Sequence, residues 1–156
     1  DCDWSSDVCS SDLIPVVALA TAFARFTAPD GLPPVRAAAC RRIAGAMRAY
    51  PFMVAGTGRF CTGVMELAHG KIAIKTGAEG VYVGAIPAKG LGIALKIDDG
   101  AGRAAEVAMA ALLSRHAGLD EAERGALAAH QRPPIKNVAG RPVGEIMPGA
   151  GLRGTS

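Results

Sequence analysis

Apolar residues recur every three or four positions along "PVVALATAFARFTA", residues 15–28, and stop at Pro29-Asp30-Gly31. That period predicts an amphipathic helix, with Pro15 in a first turn where its missing N–H leaves no bond unmade. A second helix is predicted from Pro33-Pro34 through "VRAAACRRIAGAMRAY", ending before Pro51. Val35, Ala39, Ile43, Ala46 and Met47 share its apolar face, and the arginines lie largely off it. Residues 54–59, "VAGTGR", read as a loop. Phe60 to His69 form a short predicted helix with Val64, Met65 and Ala68 inward and Gly70 as its left-handed stop.

The period then changes. "KIAIK", "GVYVGAI" and "LGIALKI" are short, rich in branched residues and punctuated by glycine, as in an antiparallel meander. Asp98-Asp99-Gly100 ends the third run, and "GRAAEVAMAALLSRHAG" returns to a helical period. A further helix, "DEAERGALAAH", has Asp120 placed as its N-cap. "PIKNVAGRPVGEI" holds a turn at Ala139-Gly140 between two strand-like pieces, and residues 149–156 read as a loose tail. Helices, then strands, then helices argue for an α+β fold with a mostly antiparallel sheet flanked by helices.

Composition changes this picture at one place. Residues 1–13, "DCDWSSDVCSSDL", hold two of the four cysteines, the one tryptophan, four serines and four aspartates, with no helix or strand period. The stretch resembles a peptide produced when sequencing-adaptor DNA is translated, and is read as a non-native artefact outside the fold. On that reading residues 14–148 are the C-terminal part of a longer domain. Half of the 156 residues are hydrophobic but only 4% are aromatic, so the core is built from small and branched aliphatics.

Charge and cysteine content exclude several classes. The net charge of +3 is scattered; its densest group is Arg36, Arg41, Arg42 and Arg48, with no interleaved aromatics to stack on bases. This reads as a solvated helix face, not a nucleic-acid surface. No apolar run reaches the ~20 residues that cross a bilayer, and no basic secretory start is present, so a cytoplasmic location is expected. Cys2, Cys9, Cys40 and Cys61 form no CxxC, and His69, His116 and His130 lie far apart, so ordinary zinc spacing is absent. A disulfide framework is not expected either. Cys40, on the apolar side of its helix, reads as a buried structural thiol.

Candidate chemistry centres on "KIAIKTGAEG", where a strand delivers Lys75 into a glycine-rich turn. Lys-Thr-Gly at a strand end is one of three elements of penicillin-recognising serine enzymes, the others being S-x-x-K and S-D-N. A lysine on a rigid sheet edge can act as a base toward a serine once burial or a nearby cation lowers its pKa. Gly77 keeps the wall low for a substrate. The alternative is a surface lysine before a turn. No S-x-x-K follows residue 13, where the only serines are Ser114 and Ser156.

Four segments together resemble the L-asparaginase II family, the rhizobial-type asparaginases. They are Gly58-Arg59-Phe60-Cys61-Thr62 with Met65, Lys75-Thr76-Gly77-Ala78-Glu79-Gly80-Val81, Gly90 to Gly100, and Asn137 to Gly144. The resemblance runs from about Ile14 to Pro148. It implies a fold like the serine β-lactamases and glutaminases, and hydrolysis of L-asparagine to L-aspartate and ammonia by Ser–Lys units. Lys75 and Cys61 inherit catalytic positions, and Thr76, Gly77, Glu79 and Arg59 line the substrate. Glu79 either accepts hydrogen bonds in the site or caps the turn. The resemblance also implies a homodimer and a zinc site with Cys and Lys ligands. One of those ligands belongs to a D-G-C-G-x-P motif that should precede "IPVVAL", where Asp12 stands instead. No cofactor is therefore expected in this chain, nor activity without the family's upstream serines. Two alternatives remain: another serine acyl-transfer enzyme of glutaminase or β-lactamase type, and a non-catalytic α+β binding domain.

Overall fold

A computed structural model describes residues 14–153 of the chain. The artefact reading of residues 1–13, Cys2 and Cys9 included, and the expectation at Asp12 fall outside the described residues.

Helix α1 spans Val16–Thr27. It closes with Ala28 N–H donating to Ala24 O at 2.8 Å, just ahead of Pro29. Helix α2, Pro34–Ala49, begins with proline at its first position, where a fixed φ and absent N–H suit a helix start. Pro51 ends it, but the chain does not enter a loop there. The same proline opens a five-residue helix α3, Pro51–Ala55, so the predicted loop shrinks to residues 56–59. Helix α4, Phe60–Leu67, follows, and His69 and Gly70 both take left-handed φ beyond it.

Strands β1 (Ala73–Thr76), β2 (Val81–Ile86) and β3 (Leu91–Lys96) form the predicted antiparallel meander in the order β1-β2-β3. The register places Ile74 opposite Gly84, Lys75 opposite Val83 and Thr76 opposite Tyr82. Helices α5 (Gly102–His116) and α6 (Glu121–Gln131) come next, then a separate hairpin of β4 (Pro134–Lys136) and β5 (Pro142–Glu145). The fold is α+β, as expected. No helix among the described residues is long and apolar enough to cross a membrane.

The alternation of the strands sorts residues onto two faces. Ile74, Tyr82, Ile86 and Ile93 enter the main core with Val64 and Met65 of α4, Met109 and Leu113 of α5, and Leu127 of α6. Lys75, Val83 and Gly92 lie on the opposite face. There α1 approaches so closely that a Cβ on Gly92 would stand 1.9 Å from Ala20 O and 3.0 Å from Ala24 Cβ. Helix α2 has its expected apolar stripe, but most of it faces outward. Ala37 and Ala44 are buried, whereas Val35 is 86% and Ile43 55% exposed, and Cys40 is half-buried instead of fully enclosed. Periodicity shows which residues are apolar; it does not show which neighbour covers them.

The α6 start is tied to the sheet. Asp120 accepts from Glu123 N–H at 2.9 Å, and Glu123 accepts from Asp120 N–H at 2.8 Å, a reciprocal capping box. The buried Glu123 carboxylate also takes Lys71 Nζ at 2.7 and 2.6 Å, just ahead of β1. Asp120 lies 3.9 Å from the same ammonium. The Lys71 hydrogen bond, followed by that from the Asp120 backbone, holds the Glu123 carboxyl below its usual range.

Two outcomes follow for stability. Gly92→Ala should cost about 3 kcal/mol or more, or prevent folding, because backbone faces the new methyl. Gly125→Ala, mid-α6 with open space around it, should instead stabilise by about 0.5–1 kcal/mol in denaturant titrations. For Glu123, a depressed folded pKa means that its contribution is complete above the ordinary 4.5 and disappears as pH falls through the lower folded value. Glu123→Gln should therefore destabilise at pH 7 by about 1–3 kcal/mol and flatten the loss of stability below pH 4.5.

Candidate functional site

Lys75 occupies β1, which pairs only with β2 among the described residues and so forms an edge of the sheet. Its side chain is exposed, and Nζ donates to Thr76 O at 2.7 Å. On this face Lys75 and its cross-strand neighbour Val83 meet Phe23 and Phe26 of α1, Met47 of α2 and Met53 of α3 around an open groove of about 590 Å³. Phe23 and Phe26 stack with ring centroids 5.7 Å apart. The groove is apolar apart from the amine.

Through the strand, the other side is different. Cys61, in the first turn of α4, is 1% exposed among the core residues. Burial pushes its thiol pKa up; a hydrogen bond with the Thr76 backbone, the Lys75 charge and a hydrogen bond with Tyr82 act the other way without overcoming it. Tyr82 sits opposite Thr76 in the register, and its hydroxyl donates to Glu106 Oε1 of α5 at 3.2 Å. Burial raises the Tyr82 pKa as well, so the phenol stays protonated and available as a donor. Phe60 meets the Tyr82 ring edge-on at 5.7 Å and the His130 ring at 5.3 Å.

The predicted residues thus divide. Lys75 opens into the groove, while Thr76 and Cys61 lie together at the buried side of the same strand. Gly77 donates its N–H to Val81 O at 2.8 Å, closing the turn between β1 and β2. Glu79 holds a left-handed φ of 53° in that turn and directs its carboxylate to the Gly100 loop, where a Cβ on Gly100 would meet Oε2 at 2.6 Å. A Cβ on Gly80 would stand 2.9 Å from Ile97 Cβ and 3.0 Å from Gly100 C, so backbone contact there requires glycine at both φ and distance. Arg59 is exposed at the residue preceding α4. Thr62 of the same motif donates its hydroxyl to Gly56 O at 2.7 Å and fastens α4 to the preceding loop.

Sequence reasoning missed Tyr82 and Glu106. Signals for both exist in retrospect: a hydroxyl-bearing aromatic at an inward strand position, and a lone glutamate within "AAEVAMAAL". Nothing local says that the two meet. No cluster of three or more His, Cys, Asp or Glu side chains able to hold a metal occurs among the described residues.

A family model described as L-asparaginase II matches residues 1–148. No curated protein matches the chain.

The burial of Cys61 has a direct chemical consequence, since the thiolate is the reactive form. In folded protein at pH 7, Cys61 should react with iodoacetamide about 100-fold more slowly than in denaturant, while half-buried Cys40 reacts readily. Peptide mapping of the alkylated protein by mass spectrometry checks both.

Proposed function

Because the chain belongs to the L-asparaginase II family, an amidohydrolase family, we propose that it carries one half of a Ser–Lys machinery for hydrolysing the side-chain amide of L-asparagine. The observation that carries this reading is the placement of Lys75. The K-T-G-A-E-G segment puts an amine on a sheet edge, facing an open groove, with the turn behind it locked by Gly80 against Gly100.

In the proposed reaction the Lys75 amine takes the proton of a serine hydroxyl as the serine oxygen attacks the amide carbon. The tetrahedral adduct collapses, its C–N bond breaks, and the same proton passes to the leaving nitrogen, releasing ammonia. Water then attacks the acyl ester in the reverse sense, giving L-aspartate and free serine. Cys61 acts in this scheme as a positioning residue, bonded to the Thr76 backbone beneath the strand. Gly77 and Glu79 build the turn that follows Lys75, Thr76 holds the buried side of its strand, and Arg59 lies exposed ahead of α4.

No serine lies beside Lys75 among the described residues. Ser114 lies on α5 in a different hollow from Lys75, and Ser156 is the only other serine beyond residue 13. We read the chain as needing a serine hydroxyl brought to Lys75, and as acting in a homodimer. The exposed apolar residues Val35, Ile43, Tyr50 and Met53 on and beside α2 and α3 support a covered face there.

The reading frame upstream of residue 14 is the first test; absence of any S-x-x-K and second serine there defeats the proposal. In the complete protein Lys75→Ala should lower turnover of asparagine by about 100-fold or more. Lys75→Arg should be equally impaired, because a guanidinium stays protonated and cannot accept the serine proton. Parallel assays with glutamine and a chromogenic β-lactam distinguish the other serine acyl-transfer enzymes. Unchanged turnover in both variants would leave Lys75 as an ordinary surface residue.

A further inference from the structure

A second hollow, of about 330 Å³, lies where α5, α6 and the segment after β5 meet. Met147 and Leu152 contribute its apolar wall, Ser114 a hydroxyl, and Arg115, Arg132 and Arg153 three guanidinium groups. Its volume is within the range of small-molecule sites, ~300–1,000 Å³. It shares no residue with the groove at Lys75.

Two of the arginines have a local reason to be there. Arg115 is in the last turn of α5 and Arg132 caps the end of α6, where carbonyl ends favour cations. Arg132 is further held by Glu145 Oε1 at 2.7 Å. Arg153 has no such reason. It follows a turn in which Leu152 and Arg153 N–H groups donate to Gly149 O at 3.0 and 3.1 Å, and this turn brings its guanidinium back over Met147, with Nη1 4.0 Å from Sδ. Ion pairs among the described residues join Lys71 to Asp120 and Glu123, and Arg132 to Glu145; among those same residues neither Arg115 nor Arg153 meets a carboxylate.

Three like charges around one hollow repel each other, and a single carboxylate offsets only one of them. Planar guanidinium groups recognise carboxylate and phosphate oxygens through paired N–H donors. We propose that this hollow is an anion-binding site for a small molecule with two anionic oxygens, a phosphate or a dicarboxylate. Arg115 and Arg153 take the anionic oxygens, the Ser114 hydroxyl donates to one of them, and Met147 and Leu152 cover the ligand's carbon or ester portion. The site is independent of the asparaginase reading and stands or falls separately from it.

Isothermal titration of the full chain with inorganic phosphate, and separately with succinate, at constant ionic strength set by sodium chloride, tests this. Binding of at least one with a dissociation constant on the order of 1 mM or tighter is expected. Phosphate alone identifies a phosphate-type ligand, and succinate alone a dicarboxylate; each supports the site. Arg153→Ala, in an exposed turn, should weaken binding at least about tenfold with its thermal unfolding unchanged. Arg115→Ala, also exposed, is the second variant. Absence of binding by both anions, or equal affinity in the double variant, would overturn the proposal.

Discussion

Everything on the Lys75 side of the sheet depends on a backbone contact, that of α1 with β3 at Gly92. The clearance between Ala20 O and the Gly92 Cα leaves no room for a methyl. This draws the helix onto the strand more tightly than side-chain packing between a helix and a sheet allows. With Ala20 and Ala24 pressed against β3, Phe23 and Phe26 extend to the groove that Lys75 and Val83 share. A bulkier residue in place of Gly92 would lift the helix and remove a wall of the groove. The glycine of G-L-G-I-A is therefore tied to the lysine of K-T-G-A-E-G through a helix, although the two motifs are separated along the chain.

A similar link joins two other motif positions directly. Gly80 lies so near Gly100 that a Cβ on it would stand 3.0 Å from Gly100 C, and a Cβ on Gly100 would stand 2.6 Å from Glu79 Oε2. Of the two roles open to Glu79 in the sequence, turn and groove, its left-handed φ and this contact favour the turn. The motif spelling K-T-G-A-E-G thus combines two demands. One residue faces the groove, and most of the others build the turn that holds it.

The elements were largely readable because their signals are local. Proline at helix starts, the Asp120 capping box and the two-residue alternation of "GVYVGAI" all act within a few residues of themselves. The misses share a different character. Pro51 marks the end of α2 in the sequence, yet it also starts α3, because the fixed φ that ends one helix suits the first turn of another. The apolar stripe of α2 is present as its period predicts, but the small residues Ala37 and Ala44 form the buried side. Tyr82 and Glu106 meet only because the β1–β2 register and the docking of α5 bring them together. Such contacts are long-range, and a single sequence holds no periodic trace of them. At the candidate site, then, the identity of Lys75 was legible from its motif, whereas its separation from the buried Cys61 by the thickness of one strand was not.

An edge strand with one neighbour lacks half of the hydrogen bonds that hold a central strand, so β1 needs other restraints to present an amine in a fixed place. It has one at each end. Ahead of it, Lys71 is bound to the buried Glu123, whose carboxylate is itself fixed by the capping box of α6. Behind it, the turn from Gly77 to Gly80 is fastened by Gly77 N–H to Val81 O and by Ile97 N–H to Gly80 O. Beneath it, Ile74 and Thr76 anchor the inward face. Lysine on an edge also discourages pairing with another sheet, a service that any long charged side chain performs. Edge protection alone would not require such pinning, because a mobile charge repels an incoming strand as well as a fixed one. Restraint on three sides is what a proton-transfer group needs, since its reach to a hydroxyl must be set to a fraction of an ångström. On the proposed reading, the glycines and the buried carboxylate are what hold such a group in place, a restraint that edge protection does not call for.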